Sequence, residues 1–547
     1  MLKLSNIRLT EKLDIPALRK IAAGILGIAE TEVNNLSIQK LSIDARKKPR
    51  VEFVYTLIAE VTNARTLTLK TNVSSYIQPE PYQFPQPRAA IKPVIVGTGP
   101  AGLFAALCLA EAGIKCVILE RGKPVEERIR DISRFWLTGE LDPDSNVQFG
   151  EGGAGTFSDG KLTTGISDPR VRYVFERLAE FGAPDEILYL AKPHVGTDNL
   201  RGVVKRIRER LIELGCDIRF GHRLVDIEVS NTQLQSITVE AGDARYSIET
   251  DKLILAPGNS ARDTFEMLHK RGVQLLPKNF SVGVRIEHLQ SEIDRSQYGT
   301  APVGAIINRP RMTTTSRPRA ADCRPYVSSH SIPASDYKLV THLPNGRSVY
   351  TFCVCPGGYV VASSSEQSGV VTNGMSEFLR DGTNCNGAIL AAVTPEDFGH
   401  APLAGIEFQR KLEHAAFMAG GGNFHAPAQL VGDFLRRIPS TGAGKVSPTY
   451  RPGVRFCNLW DVLPELICEA IADALPDFAR RVSAFGTPDA VLTAVESRSS
   501  CPVRIEREDC ETVGIHGIFP CGEGAGYAGG IISAAVDGMR CAEAVNM

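Results

Sequence analysis

The alternation of apolar and polar positions predicts a small module at the start of the chain. LKLSNIRL alternates as a strand does, and Pro16 suits the first turn of a helix that runs to about Leu26. Two further strands are predicted in LSIQKLSID and VEFVYTLIAEV, with the basic turn ARKKPR between them. The pattern therefore predicts a β-α-β-β module over residues 1–88.

The rest of the chain has the pattern of an α/β protein. Residues 78–93 carry five prolines, which stiffen the backbone, so this segment is predicted to be a linker. Strand-like and helix-like segments then alternate to about residue 262. Residues 308–325 are rich in Arg, Thr and Pro and predict a surface loop or insertion. The last 40 residues return to a strand–loop–helix order.

Composition narrows the class of protein. A chain of 547 residues with 43% apolar and 22% charged residues is long enough for two to four folded domains. The formal net charge of −1 gives no overall field that would attract nucleic acid or an anionic membrane. Thirteen cysteines in mainly apolar context indicate a reduced, cytoplasmic chain. The N-terminal segment lacks the apolar core of a signal peptide, and no membrane span is expected.

The strongest chemical signal is PVIVGTGPAGLFAALCLAEAGIKCVILERG. Gly97 permits a tight turn, Gly99 lets the backbone approach a pyrophosphate, and Gly102 lets the helix pack on the strand. The helix N-terminus offers N–H groups to phosphates. The second strand ends at Glu120, 18 residues beyond Gly102, where a carboxylate can accept hydrogen bonds from ribose hydroxyls.

This pattern predicts a dinucleotide site, and a glycine turn without a ligand is the alternative. Glu120 disfavours a 2′-phosphate, so the pattern favours FAD or NAD over NADP. The residues by themselves do not separate FAD from NAD. The sequence has no second complete pattern of strand, GxGxxG turn, helix, strand and terminal acid, so no dedicated NAD(P) domain is predicted.

Residues 94–122 resemble the N-terminal FAD motif of the two-dinucleotide-binding-domain flavoproteins. LILAPG (253–258) resembles the strand and glycine turn that return the chain to the FAD domain, and GIFPCGE (517–523) resembles the C-terminal FAD motif. Glu523 stands where that motif usually has Asp, whose role is to hold the ribityl chain. Gly529, Gly530 and Ile531 resemble the opening of the last helix, whose N-terminus faces the flavin in such proteins.

The whole chain resembles the uncharacterised bacterial FAD-dependent dehydrogenases, a family of NAD(P)- and FAD-dependent oxidoreductases. The matching segments include FGEGGAGTFSDGKL, KPHVGTDNLR, FCVCPGGYV, VTNGMS and ESRSSCPVRI, whereas residues 308–325 depart from the family pattern. The resemblance implies a Rossmann-like FAD-binding domain in two segments, 89–275 and 490–547, and a substrate or cap domain over 276–489.

The resemblance also implies FAD held without a covalent bond. The residues that we expect to hold it are Gly97, Gly99, Pro100, Ala101, Gly102, Glu120, Arg121, Gly153, Ser158, Lys161, Leu224, Ala256, Gly258, Gly522, Glu523, Gly529, Gly530 and Ile531. The glycine-rich segment GEGGAGTFSDGK, which contains Gly153, Ser158 and Lys161, is expected near the flavin ring; a flexible surface loop is the alternative.

Candidate catalytic residues are fewer. His194 could relay a proton beside a flavin or could satisfy a turn, and Lys161 is a second candidate. Arg498, Arg504 and Arg507 could bind an anion or could form surface pairs.

The pair Cys353-x-Cys355 could be redox-active or could bind a metal. An extended strand is a strained geometry for a disulfide, and a second pair of zinc ligands is not apparent in the sequence, so a structural role is favoured and no metal site is predicted.

Three functions follow from these observations. The first is a FAD-dependent oxidoreductase, a dehydrogenase of an unknown small-molecule substrate or electron acceptor, in which a nicotinamide donor binds transiently in the cap cleft. The second is an RNA-modifying flavoprotein that grips RNA with its N-terminal module; the charge balance of the chain argues against it. The third is a flavin-binding sensor or interaction protein without turnover.

Overall fold

The described chain forms two compact units. The computed structural model describes residues 1–62, 71–85, 92–299 and 332–546. The predicted insertion at 308–325 lies outside these residues, and so does part of the predicted linker. The units are, first, Met1–Glu80 with Leu188–Pro193 and Ser291–Ser335 and, second, Pro81–Ile187 with His194–Gln290 and Asp336–Met547. The predicted domain boundaries near residues 88, 275 and 490 stay predictions.

The first unit has an antiparallel four-stranded sheet and one long helix. Its elements are β1 (Leu2–Leu9), α1 (Ile15–Leu26), β2 (Val33–Lys47), β3 (Arg50–Val61) and β4 (Val73–Ser75), and the sheet order is β2-β3-β1-β4. The Asp14 carboxylate caps α1 by accepting a hydrogen bond from the Ala17 N–H at 2.9 Å. Gly27 ends the helix in the left-handed conformation.

The second unit opens with alternating strands and helices. They are β5 (Val94–Val96), α2 (Pro100–Glu111), β6 (Val117–Glu120), α3 (Val125–Thr138), α4 (Arg170–Glu180), α5 (Thr197–Glu213), β7 (Asp217–Phe220), β8 (Arg223–Ser230), β9 (Gln233–Ala241), β10 (Ala244–Glu249), β11 (Leu253–Leu255), α6 (Arg262–Lys270), β12 (Leu275–Pro277) and β13 (Phe280–Leu289). The helix α7 (Gln290–Tyr298) follows, mostly in the first unit.

The later elements of the second unit are mixed. They are β14 (Val340–His342), β15 (Ser348–Cys355), β16 (Tyr359–Ala362), β17 (Thr372–Met375), β18 (Asn384–Val393), α8 (Pro395–Phe398), α9 (Ala404–Gly420), β19 (Ala426–Leu430), α10 (Val431–Arg436), β20 (Val454–Phe456), α11 (Glu465–Arg481), β21 (Val491–Glu496), β22 (Val503–Ile505), β23 (Arg507–Glu508), β24 (Glu511–Thr512), β25 (Ile518–Pro520) and α12 (Ile531–Asn546).

Five short strands form a parallel sheet in the order β25-β11-β5-β6-β7. The chain enters at β5, moves outward through β6 and β7, and returns on the other side of β5 through β11 and β25. Because the carboxyl ends of parallel strands meet at one edge, the loops after β5, β11 and β25 are brought together there. This is the α/β arrangement that the alternating pattern predicted.

The helix α2 packs into the centre of this layer. Residues 101–110 are all buried, as expected for a helix that is apolar on every side. It approaches α12 so closely that a Cβ on Gly538 would lie 2.0 Å from the carbonyl oxygen of Ala101. No helix in the described ranges combines the length and apolar character that crossing a membrane requires.

A second, larger sheet has the order β14-β15-β18-β13-β21-β19-β20 and is antiparallel except between β19 and β20. Its central strands β13 and β18 are buried along almost their whole length, so both faces are covered. Within the predicted segment 490–547, β21 pairs in this sheet, whereas β25 pairs in the parallel one. The strands β8, β9 and β10 form a separate antiparallel meander.

A buried ion cluster ties these parts of the second unit together. The Glu413 carboxylate on α9 accepts hydrogen bonds from Arg262 on α6 at 2.8 and 2.9 Å and from Arg498, which follows β21, at 2.7 and 2.9 Å. The Ser497 hydroxyl donates a fifth bond at 2.7 Å. Burial would raise the pKa of Glu413, but the two guanidinium groups hold it well below its ordinary value.

We expect Glu413→Gln to destabilise the protein by about 3 kcal/mol, because the buried Arg262 and Arg498 lose the buried carboxylate that they share and keep only the partly exposed carboxylate of Glu366. Thermal or urea unfolding of the purified variant measures this difference. The matched control is Glu407→Gln on the same helix, since Glu407 pairs with Arg410 at an exposed position. The control should change stability by less than about 0.5 kcal/mol. Equal effects of the two changes would contradict the role of the buried cluster.

The stabilisation by Glu413 should also depend on pH. A carboxyl group whose pKa is lowered in the folded state stabilises that state above its unfolded pKa of about 4.3. This contribution is lost as the pH falls toward the folded pKa. The difference in stability between the wild type and Glu413→Gln should therefore be constant near neutral pH and shrink below about pH 4. Unfolding curves recorded across this range test the expectation; a constant difference would refute it.

Candidate functional site

The loop between β5 and α2 is shaped by backbone contacts that leave no space for side chains. A Cβ on Gly97 would lie 2.1 Å from the carbonyl oxygen of Ala256, and one on Gly102 would lie 1.9 Å from the carbonyl oxygen of Gly97. Gly97 also has a φ of 98°, which other residues rarely adopt. Pro100 begins α2, and the N–H groups that follow it have no partner within the helix.

A second glycine-rich loop, which contains Gly153, contacts the loop between β5 and α2. Gly153 has a φ of 64°, and a Cβ on it would lie 3.0 Å from the Cα of Gly99. The neighbouring Gly152 N–H donates to the Thr98 carbonyl at 2.8 Å. The two glycine loops therefore form one surface of backbone atoms, beside which a ligand can come close to N–H groups.

Buried Arg128 on α3 holds the second loop in place. Its guanidinium donates hydrogen bonds of 2.7–3.3 Å to the carbonyl oxygens of Asn146, Val147, Gly150, Glu151 and Gly153. Burial lowers the pKa of Arg128 to about 9, so the group stays charged at neutral pH. The sequence analysis missed this residue, because an arginine on an amphipathic helix carries no local motif.

Hydrogen bonds from other groups of the protein fill the acceptor positions of the Glu120 carboxylate at the end of β6. Its Oε2 accepts from the N–H and hydroxyl of Thr98 at 2.9 and 2.6 Å, and its Oε1 accepts from the N–H groups of Gly122 and Gly150 at 2.9 and 3.1 Å. Four bonds match the roughly four acceptor positions of a carboxylate. Glu120 therefore fastens the two glycine loops to each other, and its predicted contact with ribose stays a prediction.

Asp159 is the centre of a second buried ion cluster, just after the glycine loop. It accepts hydrogen bonds from Lys161 Nζ at 2.7 Å, from Arg380 Nη2 at 2.6 Å and from the Ser376 hydroxyl. Burial would raise the pKa of Asp159, but the charges of Lys161 and Arg380 hold it well below its ordinary value. One carboxylate faces two cations, so the cluster has a net positive charge of one.

The candidate His194 lies against this cluster. It pairs with Lys161 in an isolated β-bridge, its Nε2 donates to the Phe378 carbonyl at 2.9 Å, and its ring stacks on that of Phe378. Among the described residues, no hydrogen-bond partner faces its buried Nδ1. Burial, with the nearby charge of Arg380, lowers the pKa of His194 to about 4. The imidazole is therefore neutral and fixed near pH 7.

The loop after β25 brings the C-terminal segment to the same edge of the sheet. Gly522 follows the strand, and a Cβ on it would lie 2.9 Å from the Cβ of Ala101 in α2. The half-buried Glu523 accepts a hydrogen bond from Asn259 Nδ2 at 2.9 Å. Burial raises the pKa of Glu523 to about 7.

Three glycines at this edge have free space beside them. A Cβ on Gly258, Gly529 or Gly530 would have no atom within 4 Å. Ile531 begins α12, which places the N-terminus of that helix next to the two adjacent glycines. Space beside bare backbone, together with two helix N-termini, fits a group that carries phosphates.

Three further residues that were predicted to bind the cofactor are held by contacts within the protein. Arg121 pairs with Asp144 and Asp263 at 3.0 and 2.7 Å, and the Ser158 hydroxyl donates to the Gly155 carbonyl at 2.7 Å. Leu224 is buried in the apolar cluster around β8.

The three C-terminal arginines also contact other side chains of the protein. Arg498 belongs to the Glu413 cluster, Arg507 pairs with Asp537 at 2.6 Å, and Arg504 lies over the ring of Tyr527 at 5.1 Å.

The sequence analysis placed Cys353 and Cys355 in an extended strand; both lie in β15, but the backbone is not extended at Cys353. The residue has a φ of 42°, and the pairing of β15 with β18 shifts register between Phe352 and Cys355. Two residues of β15 therefore lie opposite one residue of β18, which is a β-bulge. The objection from extended geometry does not apply here, although the favoured structural role stays a prediction.

The chain matches three protein-family models. One described as an FAD binding domain matches residues 91–130, and one described as the C-terminal domain of FAD-dependent proteins matches 319–499. A domain of unknown function matches residues 1–60. An uncharacterised protein of Clostridium beijerinckii is 42% identical over 549 residues, which cover 99% of this chain and 98% of that protein.

Solved structures with partial likeness are flavoproteins of several kinds. An E. coli quinol fumarate reductase is 13% identical, covers 85% of this chain and 70% of its own, and has a TM-score of 0.34. The flavin-dependent brominase Bmp2 is 13% identical with coverage of 83% and 78% and a TM-score of 0.34. A glycerol-3-phosphate dehydrogenase from Bacillus halodurans, solved with FAD, is 10% identical with coverage of 56% and 48% and a TM-score of 0.27. These TM-scores do not establish that the chain shares the fold of any of the three structures.

We expect Gly153→Ala to weaken FAD binding by roughly tenfold, because a side chain at a positive φ costs about 1–2 kcal/mol and would press on Gly99. The ratio of FAD to protein after purification, and the affinity of the deflavinated protein for added FAD, measure the effect. Gly165→Ala is the control, since a Cβ there meets no atom within 4 Å. FAD binding that is the same in both variants would show that the two glycine loops do not form the cofactor site.

Proposed function

We propose that this chain, which belongs to an uncharacterised family of FAD-dependent oxidoreductases, is a dehydrogenase that holds FAD without a covalent bond. When bound, FAD supplies a ring that accepts a hydride and passes electrons on. The substrate in this proposal is a small molecule, and the contribution of the protein is to bind, orient and exclude water.

One observation carries the proposal: the bare backbone surface that the loops after β5 and α3 form around Gly99 and Gly153. A pyrophosphate needs close N–H groups and no side chains in the way. The N-terminus of α2 lies at this surface, and the family model for an FAD binding domain matches residues 91–130, which include Gly99 but not Gly153. The surface therefore supports phosphate binding beside the segment that this family model matches.

The reacting part of the site in this proposal lies beside Lys161. The Asp159 cluster keeps one net positive charge close to the glycine-rich segment, and such a charge stabilises negative charge that develops next to it. His194 stays neutral and donates its Nε2 proton to the Phe378 carbonyl, so we assign it an orienting role rather than proton transfer. Hydride transfer from a reduced nicotinamide to a flavin needs no acid or base, which suits this arrangement.

We expect the purified protein to be yellow and to release FAD when it is denatured. Anaerobic addition of NADH or NADPH, each followed by absorbance, then separates the classes of donor. Bleaching within seconds identifies a nicotinamide-linked dehydrogenase, and flavin that stays oxidised identifies a donor of another kind. A colourless protein that cannot be reconstituted with FAD would overturn the proposal.

The same preparation distinguishes the alternatives. A flavin that is reduced but reacts with no acceptor in a panel of quinones, disulfides and oxygen would favour a sensor over an enzyme. Binding to RNA that weakens steeply with salt would favour an RNA-modifying flavoprotein. Turnover with a small-molecule donor and acceptor is the result that we expect.

A further inference from the structure

The bulge in β15 brings two cysteines into one small environment. The backbone of β15 bulges at Cys353, and Cys355 Sγ lies 3.3 Å from the Cys353 carbonyl oxygen. Cys355 is fully buried, whereas Cys353 is half-buried. One sulfur is therefore reachable and the other is protected, an asymmetry that suits thiol–disulfide exchange.

Buried Arg285 on β13 contacts both cysteines. Its Nη2 donates to the Cys353 carbonyl at 2.9 Å and lies 3.9 Å from Cys355 Sγ. Its Nη1 pairs with the Glu496 carboxylate at 3.3 Å, and its Nη2 also bonds the Asn386 side chain. A non-glycine residue in the left-handed region is strained, and these contacts hold the backbone at Cys353 in place.

The surroundings favour a thiolate at Cys353. A hydrogen bond with the Cys355 thiol lowers the pKa of Cys353, burial opposes this effect, and the charges of Lys161 and Arg285 lower the pKa further. Burial raises the pKa of Cys355, which therefore stays a thiol. A thiolate next to a thiol is the reduced form from which a disulfide is made.

The pair also lies within electrostatic reach of the cofactor segments. Lys161 belongs to the glycine-rich segment, and negative charge on Cys353 contributes to the raised pKa of Glu523, after burial and against Asn259 and Lys278. Glu523 follows β25 in the segment that resembles the C-terminal FAD motif. The thiols and the predicted flavin site thus share one buried region of the second unit.

We propose that Cys353 and Cys355 form a dithiol–disulfide couple that exchanges an electron pair with the bound flavin. This inference rests on the proposed function, because the flavin is the electron acceptor.

In the oxidising direction the two sulfurs form one S–S bond and lose two electrons and the one proton of the Cys355 thiol, because Cys353 is already a thiolate. Bound flavin would take up the electron pair and this proton, so no further proton has to leave the pair. In the opposite direction the disulfide would accept two electrons and one proton, and the S–S bond would break to give the Cys353 thiolate and the Cys355 thiol.

The first test needs no variant. Holoprotein is equilibrated in glutathione buffers of increasing potential, blocked with an alkylating agent and digested with trypsin. Cleavage at Arg347 and Arg380 releases residues 348–380, in which Cys353 and Cys355 are the only cysteines. We expect this peptide to lose both alkylation sites together and two hydrogen masses. A peptide that keeps two alkylated thiols at every potential would overturn the proposal.

The second test counts electrons. Anaerobic titration of the oxidised holoprotein with dithionite should take four electrons per FAD, two for the flavin and two for the disulfide. Cys353→Ser and Cys355→Ser should each take two. Cys457→Ser, a half-buried cysteine elsewhere in the second unit, is the control and should still take four.

The outcomes separate this proposal from the proposed function. The peptide mass is read with or without flavin, so an absent FAD overturns the function while leaving the disulfide measurable. A disulfide that forms in glutathione but persists when the flavin is fully reduced would overturn the exchange between the two centres. Two electrons per FAD in the wild type would do the same.

Discussion

The cofactor site depends on stretches of backbone that touch with no side chain between them. The carbonyl oxygen of Ala256 occupies the place where Gly97 would carry a Cβ, and the carbonyl oxygen of Gly97 does the same to Gly102. These contacts fix the height of α2 above the parallel sheet and hence the position of its N-terminus. Larger residues at either glycine would separate the strand, the helix and the returning strand β11.

Buried charges then hold the loops around this frame. Arg128 bonds five carbonyl oxygens of the second glycine loop, Glu120 bonds donors from both loops, and Asp159 is matched by Lys161 and Arg380. An isolated buried charge is strongly unfavourable, so each of these groups is stable only while its partners stay in place. The geometry of the loops is therefore set by several groups at once, which is how a strained backbone persists at a site.

Whether the sequence predicts a feature of this structure depends on how far apart along the chain the interacting residues lie. The strand, glycine turn and helix around Gly99 are predictable because a local period and a local motif specify them. Arg128 could not be found in this way, since its role depends on the path of a loop about twenty residues away. The pairing of Arg262 with Glu413 crosses 151 positions, and the pairing of Asp159 with Arg380 crosses 221. Such contacts leave no periodic signal in one sequence.

The bulge at Cys353 shows the same limit on a smaller scale. The residues of FCVC have high strand propensity, and the strand does form, but its pairing with β18 accommodates one extra residue. The extra residue is held by Arg285 on β13, the strand on the far side of β18, which donates a hydrogen bond to the Cys353 carbonyl. The sequence pattern describes the strand and says nothing of the arginine that bends it.

The electrostatics around the bulge link electron transfer to proton release. Burial, together with negative charge on Cys353 and against the charge of Arg285, raises the pKa of Glu496 to about 7. Because this interaction is reciprocal, protonation of Glu496 favours the thiolate. In the proposed couple, disulfide formation removes the thiolate charge, so the pKa of Glu496 falls and its proton is released near neutral pH. The positive charges of Lys161 and Arg285 remain in both states, and the carboxylate charge that appears on Glu496 replaces the thiolate charge that is lost, so the net charge of these groups is conserved.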